Sequence, residues 1–305
     1  MKKVISALLA LSMVFGTMFV LASCGGDNNN GGDVVKVVDI KLTEEDYAFA
    51  VRKGDTELLN QINSFMEEIK ANGKFDEIVN KYFGDGTPTP VTSAAEMKTD
   101  GSQLIVATNA AFEPFEYMVG DNYYGIDMEI MSLFAQKIGK ELYINNMEFD
   151  AVCLSVSAAG GSYEDEDGTS HTVQGGVCDV AAAGLTVSDV RKEILDFSTS
   201  YYSAAQMIIA AADDTTFDNC KTKEDVENIL KSLGSDVVVG VQNGTTGQKY
   251  CEGDAEWGFD GFDFTTTGYT SGALATNNIL NGNIKYVIID EGPAKAIVKN
   301  VNAAN

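Results

Sequence analysis

An α/β protein of two lobes is what this sequence predicts, on two observations. Short β-branched segments of strand length alternate with segments whose apolar residues recur at helical spacing. The 305 residues are 45% hydrophobic, enough for one large domain or two lobes. Strands separated by helices imply parallel sheets covered on both faces.

In chain order, residues 34–40 and 47–51 read as strands. Leu58, Leu59, Ile62, Phe65, Met66 and Ile69 then recur on a helical face, with Asp55 as N-cap and Asn72-Gly73 as the stop. A second short helix carries Phe75, Ile78, Val79 and Tyr82. Residues 85–103, with Pro88, Pro90 and a Thr/Ser/Ala-rich stretch, read as a linker that buries little. Beyond it come strands at 104–108, 142–147, 177–182, 207–211, 237–241 and 286–289, with helices at 127–138, 223–233 and 273–280. In sheets of this kind ligands bind beyond the carboxyl ends of the strands. That directs attention to the segments after Thr108, Ala182, Val241 and Ile289.

The first residues set the compartment. Lys2 and Lys3 precede an apolar stretch over 4–22 that closes in Leu21-Ala22-Ser23-Cys24. This tetrad resembles the bacterial lipobox, in which the cysteine is lipidated and becomes the N-terminus of a membrane-anchored protein. An uncleaved membrane anchor is the other reading, because 4–22 approaches the roughly 20 apolar residues a span needs. Both leave the remainder extracytoplasmic. Residues 25–33 are a polar, glycine-rich tether. With 45 acidic against 21 basic residues and a net charge of −24, no basic face is offered to nucleic acid.

Setting Cys24 aside leaves Cys153, Cys178, Cys220 and Cys251, an even number in a compartment where disulfides persist. Pairing of sequence neighbours gives Cys153–Cys178 and Cys220–Cys251, one of three connectivities. No zinc or other metal site is expected, since His171 is the only histidine and no cysteines are closely spaced.

A set of segments together resembles the polar amino-acid-binding proteins of ABC importers, the glutamine-binding-like group of solute-binding proteins. They are Ala107-Thr-Asn-Ala-Ala-Phe-Glu-Pro-Phe-Glu-Tyr117, Gly125-Ile-Asp-Met-Glu129, Met147-Glu-Phe149, Ala183-Gly-Leu-Thr-Val-Ser-Asp-Val-Arg191, Asp196-Phe-Ser198 with Tyr201-Tyr202, and Asp290-Glu-Gly-Pro293. The resemblance implies a type II periplasmic-binding-protein fold with two hinge crossings. One feature departs from the family: residues 47–84, with Tyr47-Ala-Phe-Ala-Val-Arg-Lys-Gly-Asp55 at their head, look like its C-terminal segment but stand at the front. The expectation is a circular permutation. Residues 34–46 then supply a lobe 2 strand and hinge, 47–84 and 104–203 form lobe 1, 85–103 joins the old termini, and 204–305 form lobe 2. Residues 158–176 are a Gly/Ser/acidic insertion where the family has a shorter connection.

An α-amino acid presents a carboxylate and an ammonium at fixed separation, so its site needs a bidentate donor and an anion. Arg191 is the leading donor: only Arg52 and Arg191 are arginines, and a guanidinium matches a carboxylate with two parallel hydrogen bonds. The resemblance assigns the same role to Arg191, gives Gly184, Leu185 and Thr186 contacts in the preceding turn, and lets Asp290 hold the ammonium. A plain helix cap is the competing role for Asp290. Gly244, Thr245 and Thr246 stand to open a helix N-terminus, which favours an anion. Phe112 and Phe149 correspond to aromatic walls of the family's cleft. Asn109 and Gln242 are neutral amides where relatives often carry charge, so a neutral polar or basic amino acid is expected.

The function expected is therefore extracytoplasmic capture of a free amino acid by a monomer, and its delivery to a permease with its ATPase. No cofactor and no catalysis are expected. A ligand-sensing module for a signalling partner is the alternative, and a dehydratase-like enzyme on the same fold stands behind it.

Overall fold

The computed structural model describes residues 32–165 and 167–305. The export segment, Cys24 and residues 25–31 of the tether lie outside the described residues.

The strand expected at 34–40 is β1 (Val35–Val38), and the one at 47–51 divides into β2 (Glu45–Tyr47) and β3 (Ala50–Arg52). Between β2 and β3 the Phe49 N–H donates to Ser198 Oγ at 3.1 Å, so the chain leaves one ladder before joining another. α1 (Thr56–Ala71) buries Ile62, Phe65, Met66 and Ile69, and its Asp55 cap accepts the Leu58 N–H at 3.2 Å. α2 (Lys74–Phe83) follows.

The next stretch runs β4 (Gln103–Thr108), the meander β5 (Ala111–Phe112), β6 (Glu116–Val119) and β7 (Asn122–Tyr124), then α3 (Ile126–Lys137), β8 (Glu141–Asn146) and α4 (Phe149–Val156). β9 (Gly161–Glu164) and β10 (Ser170–Val173) make the insertion an antiparallel hairpin. After it come β11 (Val180–Ala181), α5 (Asp189–Lys192), β12 (Leu195–Phe197), β13 (Tyr202–Ala204) and β14 (Gln206–Ala211). The chain closes with α6 (Lys223–Ser232), β15 (Val238–Gln242), α7 (Thr246–Glu252), β16 (Thr265–Tyr269), α8 (Gly272–Leu280), β17 (Tyr286–Asp290) and α9 (Glu291–Ala304). α6 opens with a complete capping box between Thr222 and Asp225.

Two five-stranded sheets result, one per lobe: β12-β3-β11-β4-β8 and β1-β14-β17-β15-β16. They are mixed, which corrects the expectation of wholly parallel sheets. β4 pairs in parallel with β8 and β11, and β15 with β16 and β17. β3 and β14 run against their neighbours. Each of these two arrives from the hinge rather than over a crossover helix, and only a crossover enforces parallel pairing. The two passages pair with each other as an antiparallel ribbon, β2 on β13.

Residues 85–103 bury more than a linker should. Val91 is buried and exchanges backbone hydrogen bonds with Tyr123 at 2.8 and 3.2 Å. The Ala94 N–H reaches Leu142 O at 2.8 Å and the Ile144 N–H donates to Ser93 Oγ at 2.9 Å, so this segment covers the free edge of β8.

The four cysteines are free thiols, which corrects both expected disulfides. Their side chains are used as small hydrophobes with polar neighbours. Cys153 lies beside Arg191, whereas Cys178 takes the Asn145 amide at 3.5 Å. Cys251 is fully buried in the second lobe's core, and Cys220 packs at that core's margin.

The C-terminal helix is tied to the first strand. Asn302 Oδ1 accepts the N–H groups of Val34 and Val35 at 3.0 and 3.1 Å, and its amide donates to Val35 O at 2.9 Å. Replacing Asn302 by Ala strands three partly buried backbone groups. We expect a loss of about 1–3 kcal/mol in urea unfolding; an unchanged midpoint would show that this tie contributes nothing.

Candidate ligand-binding site

The segments beyond the carboxyl ends of β4, β11, β15 and β17 meet between the two sheets, as the strand pattern predicts. From the first lobe come Asn109 and Phe112 after β4, Phe149 at the start of α4, and the 184–191 turn after β11. The second lobe contributes Gln242, Gly244, Thr245 and Thr246 after β15, and Asp290 at the end of β17.

Arg191 is 8% exposed and is the only buried basic side chain among the described residues. α5 is a single turn capped by Ser188, whose hydroxyl accepts the Arg191 N–H at 3.2 Å. The guanidinium donates to Thr186 O at 2.8 Å within its own lobe and to Gly244 O at 3.3 Å across the cleft. Its carbon lies 5.5 Å from the Phe149 ring and 5.0 Å from the Trp257 ring.

Two glycines make this approach possible. Gly184 has φ +50°, its N–H donates to Asp127 Oδ2 at 3.0 Å, and a Cβ there would lie 2.8 Å from the Phe112 ring. Gly244 has φ +72°, and a Cβ on it would come within 2.5 Å of Asp150 Oδ1.

Further contacts cross the cleft. Gln242 Nε2 donates to Asn109 Oδ1 at 3.0 Å, and Asn109 donates in turn to Met147 O at 2.7 Å. Thr246 Oγ1 donates to Thr186 Oγ1 at 3.2 Å, and that hydroxyl donates to Glu45 Oε2 at 2.7 Å. Thr245 caps α7 by position only; its hydroxyl donates to Gln242 O at 2.7 Å.

Asp290 is 3% exposed and makes no cap hydrogen bond to α9, which favours a site role over the helix-cap role. Its carboxyl accepts the Tyr47 hydroxyl, and its ladder partner is Gln206, whose amide donates to Glu45 Oε1 at 2.9 Å. Burial first, and the facing Glu45 second, push Asp290 up to about 7. Asp127 is pushed up to about 7 by burial, against the opposing hydrogen bonds of Tyr201 and Gly184. Burial, with Asp127 and Asp290 adding repulsion, holds Glu116 well above the carboxylate range, and neither of its oxygens has a partner among the described residues. One end of the cleft thus holds a guanidinium, and the other holds buried acids with no buried basic side chain beside them among the described residues.

Leu185 does not join the cluster by its side chain, which is fully buried in the first lobe's core with Val152 and Val156. Sequence reasoning missed Glu45, Tyr47, Asp127, Gln206 and Trp257. Asp127 stood in a quoted segment without a role; Glu45, Gln206 and Trp257 carried no local signal, because only the hinge and a turn after α7 bring them in.

With this geometry in view, known proteins can be compared. The sequence model of the bacterial extracellular solute-binding proteins, family 3, matches residues 8–85, 104–159 and 164–291. The arginine-binding extracellular protein ArtP of Bacillus subtilis is 31% identical over 111 residues, covering 36% of this chain and 37% of that protein. A probable histidine-binding protein of Neisseria gonorrhoeae is 25% identical over 118 residues, or 38% of each chain. The chain thus spans well under half the length of these curated relatives. Among solved structures, holo ArgBP from T. maritima superposes with a TM-score of 0.50 at 26% identity, over 66% of this chain and 75% of that one. No helix among the described residues is long and apolar enough to cross a membrane.

The acid end sets a pH dependence. Asp290 has a folded value raised above its unfolded one, so the stability it contributes is full at low pH and is lost as pH rises through about 7. Asp214, lowered to about 2, acts only in acid, since it is ionised folded and unfolded above about pH 5. The thermal midpoint of the ligand-free protein should therefore fall between about pH 5 and pH 8, and Asp290→Asn should reduce that slope. An identical slope in the variant would assign the effect elsewhere.

Proposed function

We propose that this chain, which belongs to the bacterial extracellular solute-binding proteins, family 3, captures a polar α-amino acid between its lobes and delivers it to an ABC importer. The observation that carries this reading is the division of charge across the cleft, with the Arg191 guanidinium at one end and Asp290 at the other. A zwitterion of matching length neutralises both ends: its carboxylate takes over the N–H groups that Arg191 now gives to two carbonyls, and its ammonium balances the carboxyl groups of Asp290, Glu45 and Glu116. Phe112 and Phe149 flank the aliphatic part, and Asn109 and Gln242 read the side chain. The buried Gln242 Oε1 has no hydrogen-bond partner among the described residues, so it can accept from a ligand donor. A basic or amide side chain meets that requirement, and the arginine- and histidine-binding names of the relatives favour a basic one.

Each lobe owns part of the ligand's charge, so closure is stabilised only when the ligand is bound. The permease reads the closed form. The ligand leaves chemically unchanged. Lipidation of Cys24 would hold the protein at the membrane in reach of that permease.

The arrangement of the second lobe supports a circular permutation. β1, the first strand of the chain, forms the edge of a sheet otherwise built from residues 206 onward, and α9 ends against it. Residues 86–103 fall between two blocks of the family match. Joining residue 305 to residue 33 and opening the chain within 85–103 should give a folded protein with unchanged ligand affinity; failure of this reconnected chain to fold argues against permutation.

A thermal-shift screen of the twenty amino acids should single out a polar one. In calorimetry Arg191→Ala should weaken its binding at least about 100-fold, the loss of two hydrogen bonds from a charged group. Affinity within tenfold of the parent would remove Arg191 from the site.

A further inference from the structure

The one tryptophan of the chain stands where nothing in the sequence announces a site. Trp257 sits in a turn of the second lobe between α7 and β16, half-buried. The turn is firmly built: Asp254 and Phe259 exchange backbone hydrogen bonds at 2.9 and 3.0 Å, and the Trp257 N–H donates to Asp254 O at 3.1 Å. Lys249 anchors the same Asp254 at 3.4 Å. The indole therefore has a fixed base, and its ring lies 5.0 Å from the Arg191 guanidinium carbon.

Phe149 covers the guanidinium from the first lobe, and Trp257 covers it from the second. Only the contacts from the second lobe, the indole and the Gly244 carbonyl, depend on the lobes having come together. A contact present in the closed form and absent from the open one adds its whole free energy to closure. The indole is also the best aromatic partner for a cation, and it displaces water from the end of the cleft where a carboxylate would bind.

We infer that Trp257 is the closure residue of this cleft: it shuts the guanidinium end when the lobes meet, strengthens ligand binding by slowing release, and positions Arg191 from the opposite lobe. This rests on the amino-acid-binding reading above. It makes Trp257 a positioning residue that acts through Arg191.

The test titrates the full chain with L-arginine, L-histidine and L-glutamine, following heat and tryptophan emission in parallel. Emission should shift with the same midpoint as the heat. Trp257→Ala should bind about two- to thirtyfold more weakly, with faster release in stopped flow and a cooperative thermal transition retained without ligand. Trp257→Phe keeps a ring and should fall between. Wild-type heat without any change in emission, or Trp257→Ala affinity within twofold of wild type, overturns the closure role while leaving amino-acid binding intact. Absence of heat for the wild type with every amino acid sinks both.

Discussion

The arrangement of this protein depends on one buried guanidinium that forms no ion pair with an acidic side chain among the described residues. Arg191 is spent on two backbone carbonyls and lies between two aromatic rings, while Glu45, Glu116, Asp127 and Asp290 are buried toward the far end of the same cleft. Leaving water is expensive for an isolated charge, and Glu116, Asp127 and Asp290 respond by holding their protons more tightly. Arg191 cannot respond in that way, because its group stays charged under all ordinary conditions. That separation of sign is the feature the proposed zwitterionic ligand would answer.

The same residues explain how the site speaks to the hinge. Glu45 belongs to the β2–β13 ribbon that joins the lobes, yet it accepts hydrogen bonds from Thr186 in the first lobe and Gln206 in the second. No long relay is required. The hydrogen bonds across the cleft are amide to amide, hydroxyl to hydroxyl and guanidinium to carbonyl. Apolar packing works alongside them: one buried cluster lies within each lobe, and a larger one runs through both, from Phe49 and Phe115 to Val287 and Ile289.

Much of this was legible in the residues. Period and capping located α1, α3, α6 and α8 to within a residue or two, and the order of segments directed attention to the right strand ends. Arg191 stood out because arginine is rare in this chain, and its place at the cleft follows from the turn after β11. What stayed hidden depends on contacts between distant residues. The strands β3 and β14 look like any apolar run, and their reversed direction comes from the hinge. The disulfides were an inference from compartment and parity, and neither bears on where the side chains pack. Trp257 and Glu45 lie in segments with no periodic pattern, so nothing local marks them.

The tie between Asn302 and the first strand has a consequence for biogenesis. Val34 meets its partner 268 positions along the chain, and β1 must wait for β14 before it belongs to any sheet. During synthesis β1 therefore emerges long before the residues that secure it, and pairing over such a separation in sequence is slow to form. Until β14 and α9 are available, the second lobe's sheet lacks its edge strand, so β1 cannot hold a folded position ahead of them.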